Sequence, residues 1–147
     1  MRNWLLTLIP AMALMLTPIL AGAADFGAPA QEPRFTHVDL YVDSGDAPLH
    51  AWQVRLSDPS GRAKVVGVEG GQDPAWQHPP YHDPQALQRG EIVLAAYSLE
   101  GGPSGRQRVA RVHLAIDGAA DVDFLLVLQT AASAEGALPG ARATIAR

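Results

Sequence analysis

The sequence predicts an all-β fold, an antiparallel sandwich of the immunoglobulin-like or jelly-roll type, and three observations carry that prediction. Short runs alternate apolar with polar residues, clusters of Gly, Pro, Asp and Ser separate the runs, and helical periodicity is almost absent. The chain has 147 residues, which suits one domain, because two would have cores too small to persist without cross-links. It has no cysteine, so disulfides and cysteine-ligated metals are excluded.

Met1 to Ala23 has the pattern of a secretory signal peptide: Arg2, an apolar run from Trp4 to Leu20, then the small residues Ala21-Gly22-Ala23. A membrane anchor is the alternative, but Pro10 and Pro18 oppose a spanning helix and no basic flank follows Ala23. The expected product therefore has no membrane span and is periplasmic or extracellular. Residues 24–33, ADFGAPAQEP, are aperiodic and predict a flexible lead, with the folded domain covering 34–147.

The strands follow in order. Thr36, Val38, Leu40 and Val42 alternate with His37, Asp39, Tyr41 and Asp43, giving a half-buried strand that ends at the turn formers Ser44 to Pro48. Trp52, Val54 and Leu56 mark the inner side of a second strand, which runs into an Asp58-Pro59-Ser60-Gly61 turn. Lys64 to Glu69 and Glu91 to Ser98 are two further β-branched or apolar runs, and Val109 to Ile116 follows the Gly101 to Gly105 turn. Val122 to Leu128 alternates again, with Leu125 and Val127 suggesting burial on both faces. Ala141 to Ala146 predicts a final edge strand, and Pro84 to Gln88 a single helical turn.

This order of segments resembles the opening of a cohesin module, within the superfamily that also holds cellulose-binding modules. The matching parts are Val38 to Val42, the aromatic-bearing Ala51-Trp52 to Leu56, Asp58-Pro59, Val65 to Gly70, Gly90 to Ser98 and Ala110 to Ile116. The resemblance spans about Thr36 to Thr130 and consists of packing and turn motifs. It implies a jelly-roll-like sandwich, a role without catalysis, and binding to a protein such as a dockerin within polysaccharide-degrading assemblies. No partner-binding residue is carried over from it.

Charge narrows the partners further. Lys and Arg total 11 against 15 for Asp and Glu, with a net charge of −4 and no basic block, so a nucleic-acid footprint is excluded. The stretch Gly70 to Gly90, GGQDPAWQHPPYHDPQALQRG, is the strongest candidate for function, because long loops in compact domains are disproportionately functional. Pro74, Pro79, Pro80 and Pro84 stiffen it around Trp76 and Tyr81, residue types that dominate binding hot spots and stack on sugar rings. Trp76, Tyr81, His78 and His82 are the expected ligand-binding residues, the alternative being that the aromatics fold back as a lid over the core.

No cofactor, metal or catalytic residue is expected. Pro79 and Pro80 forbid the helix that would bring His78 and His82 onto one face. His37, His50 and His113 read as isolated histidines on strand faces, and the aspartates at 39, 43, 46, 121 and 123 lack the spacing of a calcium loop. Gly102-Pro103-Ser104-Gly105 is a turn and not a nucleophile elbow. The expected function is an exported module that binds a protein in the envelope or outside the cell, with polysaccharide binding through the loop aromatics as the alternative.

Overall fold

A computed structural model describes residues 32–147. The expected signal peptide, Met1 to Ala23, and residues 24–31 of the lead lie outside the described residues. Two antiparallel sheets pack face to face. The first contains β3 (Ala63–Gly70), β5 (Arg106–Ile116), β1 (Arg34–Asp43) and β8 (Arg142–Ala146) in that spatial order. The second contains β4 (Glu91–Tyr97), β2 (Ala51–Ser57), β6 (Leu125–Ser133) and the two-residue β7 (Gly136–Ala137). The predicted sandwich is what the chain forms, and no described helix is long and apolar enough to cross a membrane.

Alternation sets the layers. Val38, Leu40 and Val42 of β1 face the core with Ala110, Val112, Leu114 and Ile116 of β5, and all are buried. Trp52, Val54 and Leu56 of β2 and Ile92 and Leu94 of β4 meet them from the second sheet. Register puts Val38 opposite Val112 and Val54 opposite Leu94, so each inward row is apolar across its sheet. Bulges at Leu40/Tyr41, Gln53/Val54 and Val65/Gly67 each shift the inward phase of one strand by a residue, from Val109 to Ala110 in β5, from Leu128 to Ala131 in β6 and from Val65 to Val68 in β3.

Two expectations are corrected. β6 begins at Leu125, not Val122: Val122 is a buried loop residue, and the Arg147 guanidinium binds its carbonyl. Leu125 is 52% exposed and Val127 only partly buried, so β6 is covered on one face alone. The physical reason is the architecture: among the described residues no third layer covers the outer face of the second sheet. The final strand pairs with β1 from Asp39↔Ala146 to Asp43↔Arg142 and forms an edge of the first sheet, as its sequence predicted.

Candidate functional site

The Gly70–Gly90 stretch is built from two turns of the same design. Asp73 accepts the Ala75 N–H at 2.9 Å and precedes Pro74, opening a 3-10 turn over Pro74–Trp76. Asp83 accepts the Gln85 N–H at 2.9 Å and precedes Pro84, opening a second over Pro84–Ala86. An acceptor side chain at the cap and a proline with preset φ in the first position explain both turns locally.

The first turn drives Trp76 into the core, where it is 2% exposed. Its indole meets Trp52 edge-on, with ring centres 6.3 Å apart at 74°. The indole N–H donates to Gln107 Oε1 at 2.6 Å, and the Gln107 amide donates in turn to the Pro103 carbonyl. Two glycines make room for the turn: a Cβ on Gly70 would lie 2.2 Å from the Gln77 carbonyl oxygen, and one on Gly71 2.2 Å from that of Arg108. Trp76 is therefore withdrawn as a ligand contact, because both faces of its ring are taken and its polar atom is satisfied internally. That half of the stretch is the lid alternative.

The Tyr81 half behaves differently. Its backbone pairs with the edge strand β4, Tyr81 N–H donating to the Ala95 carbonyl at 2.8 Å and Ala95 N–H to the Tyr81 carbonyl at 3.0 Å. The ring is 70% exposed and lies parallel to Tyr97, with centres 6.3 Å apart and planes within 7°. Ala51, Gln53, Tyr81, Ala95, Tyr97 and Thr130 line a shallow groove of about 190 Å³ across the outer face of the second sheet. Gln53 bridges to Gln129 through a 3.0 Å side-chain hydrogen bond. His78 is exposed, and His82 is half-buried with Nδ1 3.0 Å from the Pro80 carbonyl oxygen. Neither histidine lines the groove.

Exposed large apolar side chains gather on this side. Tyr81, Val93, Tyr97, Leu99 and Leu125 lie on or beside β4 and β6, leaving Phe35 as the other such residue among those described. The only charged residues in β2, β4 and β6 are Arg55 and Glu91. The outer face of the first sheet is the opposite in character. There Asp39 takes Arg111 at 2.7 and 3.0 Å, with Arg108 at 3.4 Å, and Arg106 lies 3.6 Å over the Tyr41 ring. The hydrogen bond from Arg111 holds Asp39 below the ordinary carboxylate range against the opposing effect of burial.

Sequence reasoning missed Tyr97, Gln53 and Thr130. Tyr97 was within reach of it: in EIVLAAY the alternation that turns Ile92 and Leu94 inward turns Tyr97 outward. Its pairing with Tyr81 depends on the loop returning to the β4 edge, which no local pattern encodes. Among the described residues no three His, Asp or Glu side chains converge on one point. Comparison with known proteins leaves the groove to be read from its own chemistry: no family model, no curated protein and no solved structure matches the chain.

Proposed function

We propose that the protein is an exported binding module without catalytic activity, which docks a protein partner on the outer face of its second sheet around Tyr81 and Tyr97. The observation that carries this reading is the exposed, parallel Tyr81–Tyr97 pair over the groove, beside exposed Val93, on a face with two charged strand residues. Exposed apolar residues scattered singly, as Leu125 is at the far end of the sheet, need no explanation, whereas the paired rings of Tyr81 and Tyr97 over a groove are characteristic of docking surfaces. A partner offering an apolar segment to the groove would bury both tyrosine rings, whose two torsions cost little entropy to fix. The cohesin-like order of segments supports the same class of function, with a dockerin-like or other envelope protein as the partner.

Site-specific photo-crosslinking tests the reading. A photoreactive residue replacing Tyr97 is expected to trap one envelope protein in the producing cell, identified by mass spectrometry. The same residue replacing Thr144 on the other sheet is expected to trap none. Equal capture at both positions, or at neither, would overturn the assignment of the face.

A second reading rests on a separate observation, the parallel planes of Tyr81 and Tyr97 beside the amide of Gln53 and the hydroxyl of Thr130. Parallel rings stack on sugar faces while amide and hydroxyl groups bond to sugar hydroxyls, which fits a polysaccharide. Affinity electrophoresis through gels cast with soluble glycans separates the readings. Retardation lost in Tyr81→Ala favours the glycan, and unchanged mobility on every glycan leaves the protein partner.

A further inference from the structure

The sandwich guards its sheet edges unequally. The β3 edge is covered by the Gly70–Gly90 stretch, Val65 N–H donating to the Arg89 carbonyl at 2.9 Å and Gln88 N–H to the Val65 carbonyl at 2.7 Å. The β4 edge carries the Tyr81 pairing, and β8 is five residues long with Arg142 at its start. The fourth edge is different. β7 covers only Ala132 and Ser133 of β6, Leu138 N–H reaches the Ala131 carbonyl at 2.8 Å, and Pro139 then leads the chain across to the first sheet. From Leu125 to Thr130 the outer margin of β6 takes no main-chain partner among the described residues.

Nothing in this run discourages pairing. Leu125 to Thr130 reads LLVLQT, with no charge, no proline and no glycine, whereas natural edge strands carry such residues to keep other chains off. Leu125 is 52% exposed at one end, and a groove of about 340 Å³ lined by Leu128, Thr130, Leu138 and Pro139 opens at the other. The direction of the backbone groups follows from the far edge of the same sheet. Ala95 turns its N–H and carbonyl to Tyr81, away from β2, so alternation turns the main chain of Arg55 toward β6 and that of Val127 back to Arg55. Leu126 and Leu128 therefore present their N–H and carbonyl groups at the free margin.

We propose that this margin pairs with a second copy of the chain, β6 running antiparallel to β6 about a two-fold axis at Val127. Leu126 then exchanges both main-chain hydrogen bonds with the partner's Leu128, Leu125 stands beside the partner's Gln129, and Val127 faces its own copy. The strand is its own complement because it is uncharged: a charged residue on the axis would meet its like. Arg55, the strand charge beside Val127, lies three strand spacings from its copy, about 14 Å, which exceeds the screening length of about 8 Å. Pairing about a two-fold axis uses the one open margin of each chain and so closes on itself, giving a dimer and not a filament. The whole of β2 separates this margin from the Tyr81 pairing on β4, so the dimer and the proposed docking function are tested apart.

Because the chain has no cysteine, Val127→Cys reads the pairing directly. Opposed residues that exchange no hydrogen bonds have Cα atoms about 4.5 Å apart, within the span of about 4.4–6.8 Å that a disulfide bridges. A covalent dimer is expected on mild oxidation of Val127→Cys, and none from Thr144→Cys on the outer face of the other sheet. In sedimentation, the unmodified protein is expected to move toward twice the monomer mass as its concentration rises. Val127→Lys sets two ammonium groups face to face and is expected to weaken association about tenfold or more. Mixing it with Val127→Glu is expected to restore the dimer, which two misfolded variants could not do. A mass that stays monomeric, with no disulfide at position 127, overturns the proposal and leaves the margin to another occupant; a dimer that Val127→Lys leaves intact overturns it equally.

Discussion

The two halves of the Gly70–Gly90 stretch start from the same local plan and end in opposite places. Each contains an Asp-capped, proline-led 3-10 turn and one large aromatic residue, Trp76 closing the first turn and Tyr81 standing two residues ahead of the second cap. Trp76 is buried at 2% exposure and Tyr81 is 70% exposed. Partners contributed from far along the chain make the difference. Trp76 finds Gln107 for its indole N–H, Trp52 for its ring, and a glycine pair over which its turn can close. Tyr81 finds only the β4 edge, which holds its backbone and leaves its ring outside. Gln107 spares Trp76 an orphaned buried donor, whereas Trp52 beside it is buried with its own indole N–H unpartnered.

The largest expected effect comes from removing the buried half. Trp76→Ala leaves a cavity beside Trp52 and is expected to cost about 3–5 kcal/mol of stability, read as an earlier midpoint in urea. Trp76→Phe sharpens the same point optically, because loss of a blue-shifted, poorly quenched indole signal is the result expected of a core tryptophan. If acrylamide quenches the Trp76 contribution readily, the two halves are alike and the contrast is gone.

Gln107 isolates the polar part of that contrast. Gln107→Leu keeps most of the volume but leaves the indole N–H and the Pro103 carbonyl without their partner. A loss of about 1–3 kcal/mol is expected, the cost of an unsatisfied buried group. Addition of Trp76→Phe to the same chain should recover part of it, because no indole N–H then remains to satisfy. Independent, additive losses in the double variant would show that Gln107 does not act through Trp76.

Asp58 roots the exposed half. Its N–H donates to the Gly90 carbonyl at 2.8 Å, closing the stretch, while its carboxylate accepts from Ser60 Oγ at 2.6 Å, Ser60 N–H at 2.8 Å and Ala63 N–H at 2.6 Å. Burial alone would raise the Asp58 pKa; the hydrogen bonds from Ser60 and Ala63 outweigh it and lower the value from its ordinary 3.8. A depressed folded pKa confers stability that is complete above the unfolded value and disappears as pH falls through the folded one. Wild type is therefore expected to lose more stability than Asp58→Asn between about pH 5 and about pH 2. At neutral pH, Asp58→Asn is expected to cost about 1–2 kcal/mol, with the Trp76 emission unchanged because the root of the other half is untouched. Parallel stability curves for the two proteins would show that the carboxylate charge contributes nothing to the turn.

Legibility in the sequence follows the same division. β1, β2 and β4 could be placed to within two residues because alternation and turn chemistry are local, and both are written in consecutive residues. β6 was displaced because Val122 continues an alternating pattern while serving as a loop plug, and a local period cannot separate a strand residue from a plug. The site was half legible. Tyr81 could be picked from composition, but its neighbours Tyr97, Gln53 and Thr130 come from β4, β2 and β6, and their meeting is a product of register. For Trp76 both a ligand contact and a lid over the core stayed open in the sequence, because its indole partner in the core, Gln107, is 31 positions away. His37 and His113 were read singly for the same reason: they become a pair only when β1 and β5 align.

The smallest stability effect is expected where the functional effect is largest. Tyr81→Ala removes an exposed ring but keeps both main-chain hydrogen bonds to Ala95, since they involve no side-chain atom. Its midpoint in urea is expected within about 0.5 kcal/mol of wild type, the ordinary range for a surface substitution. Because that ring is a large exposed contact on the groove, crosslinking of a partner from position 97, or retention on glycan, is expected to fall sharply in the same variant. Tyr97→Ala should behave alike, and the double variant should lose little beyond either single one if both rings serve one contact. A Tyr81→Ala protein as destabilised as Trp76→Ala would mean that Tyr81 is a second clasp on the core. The groove would then lose its claim to be a surface kept open for a ligand, because conserving stability would by itself account for the ring.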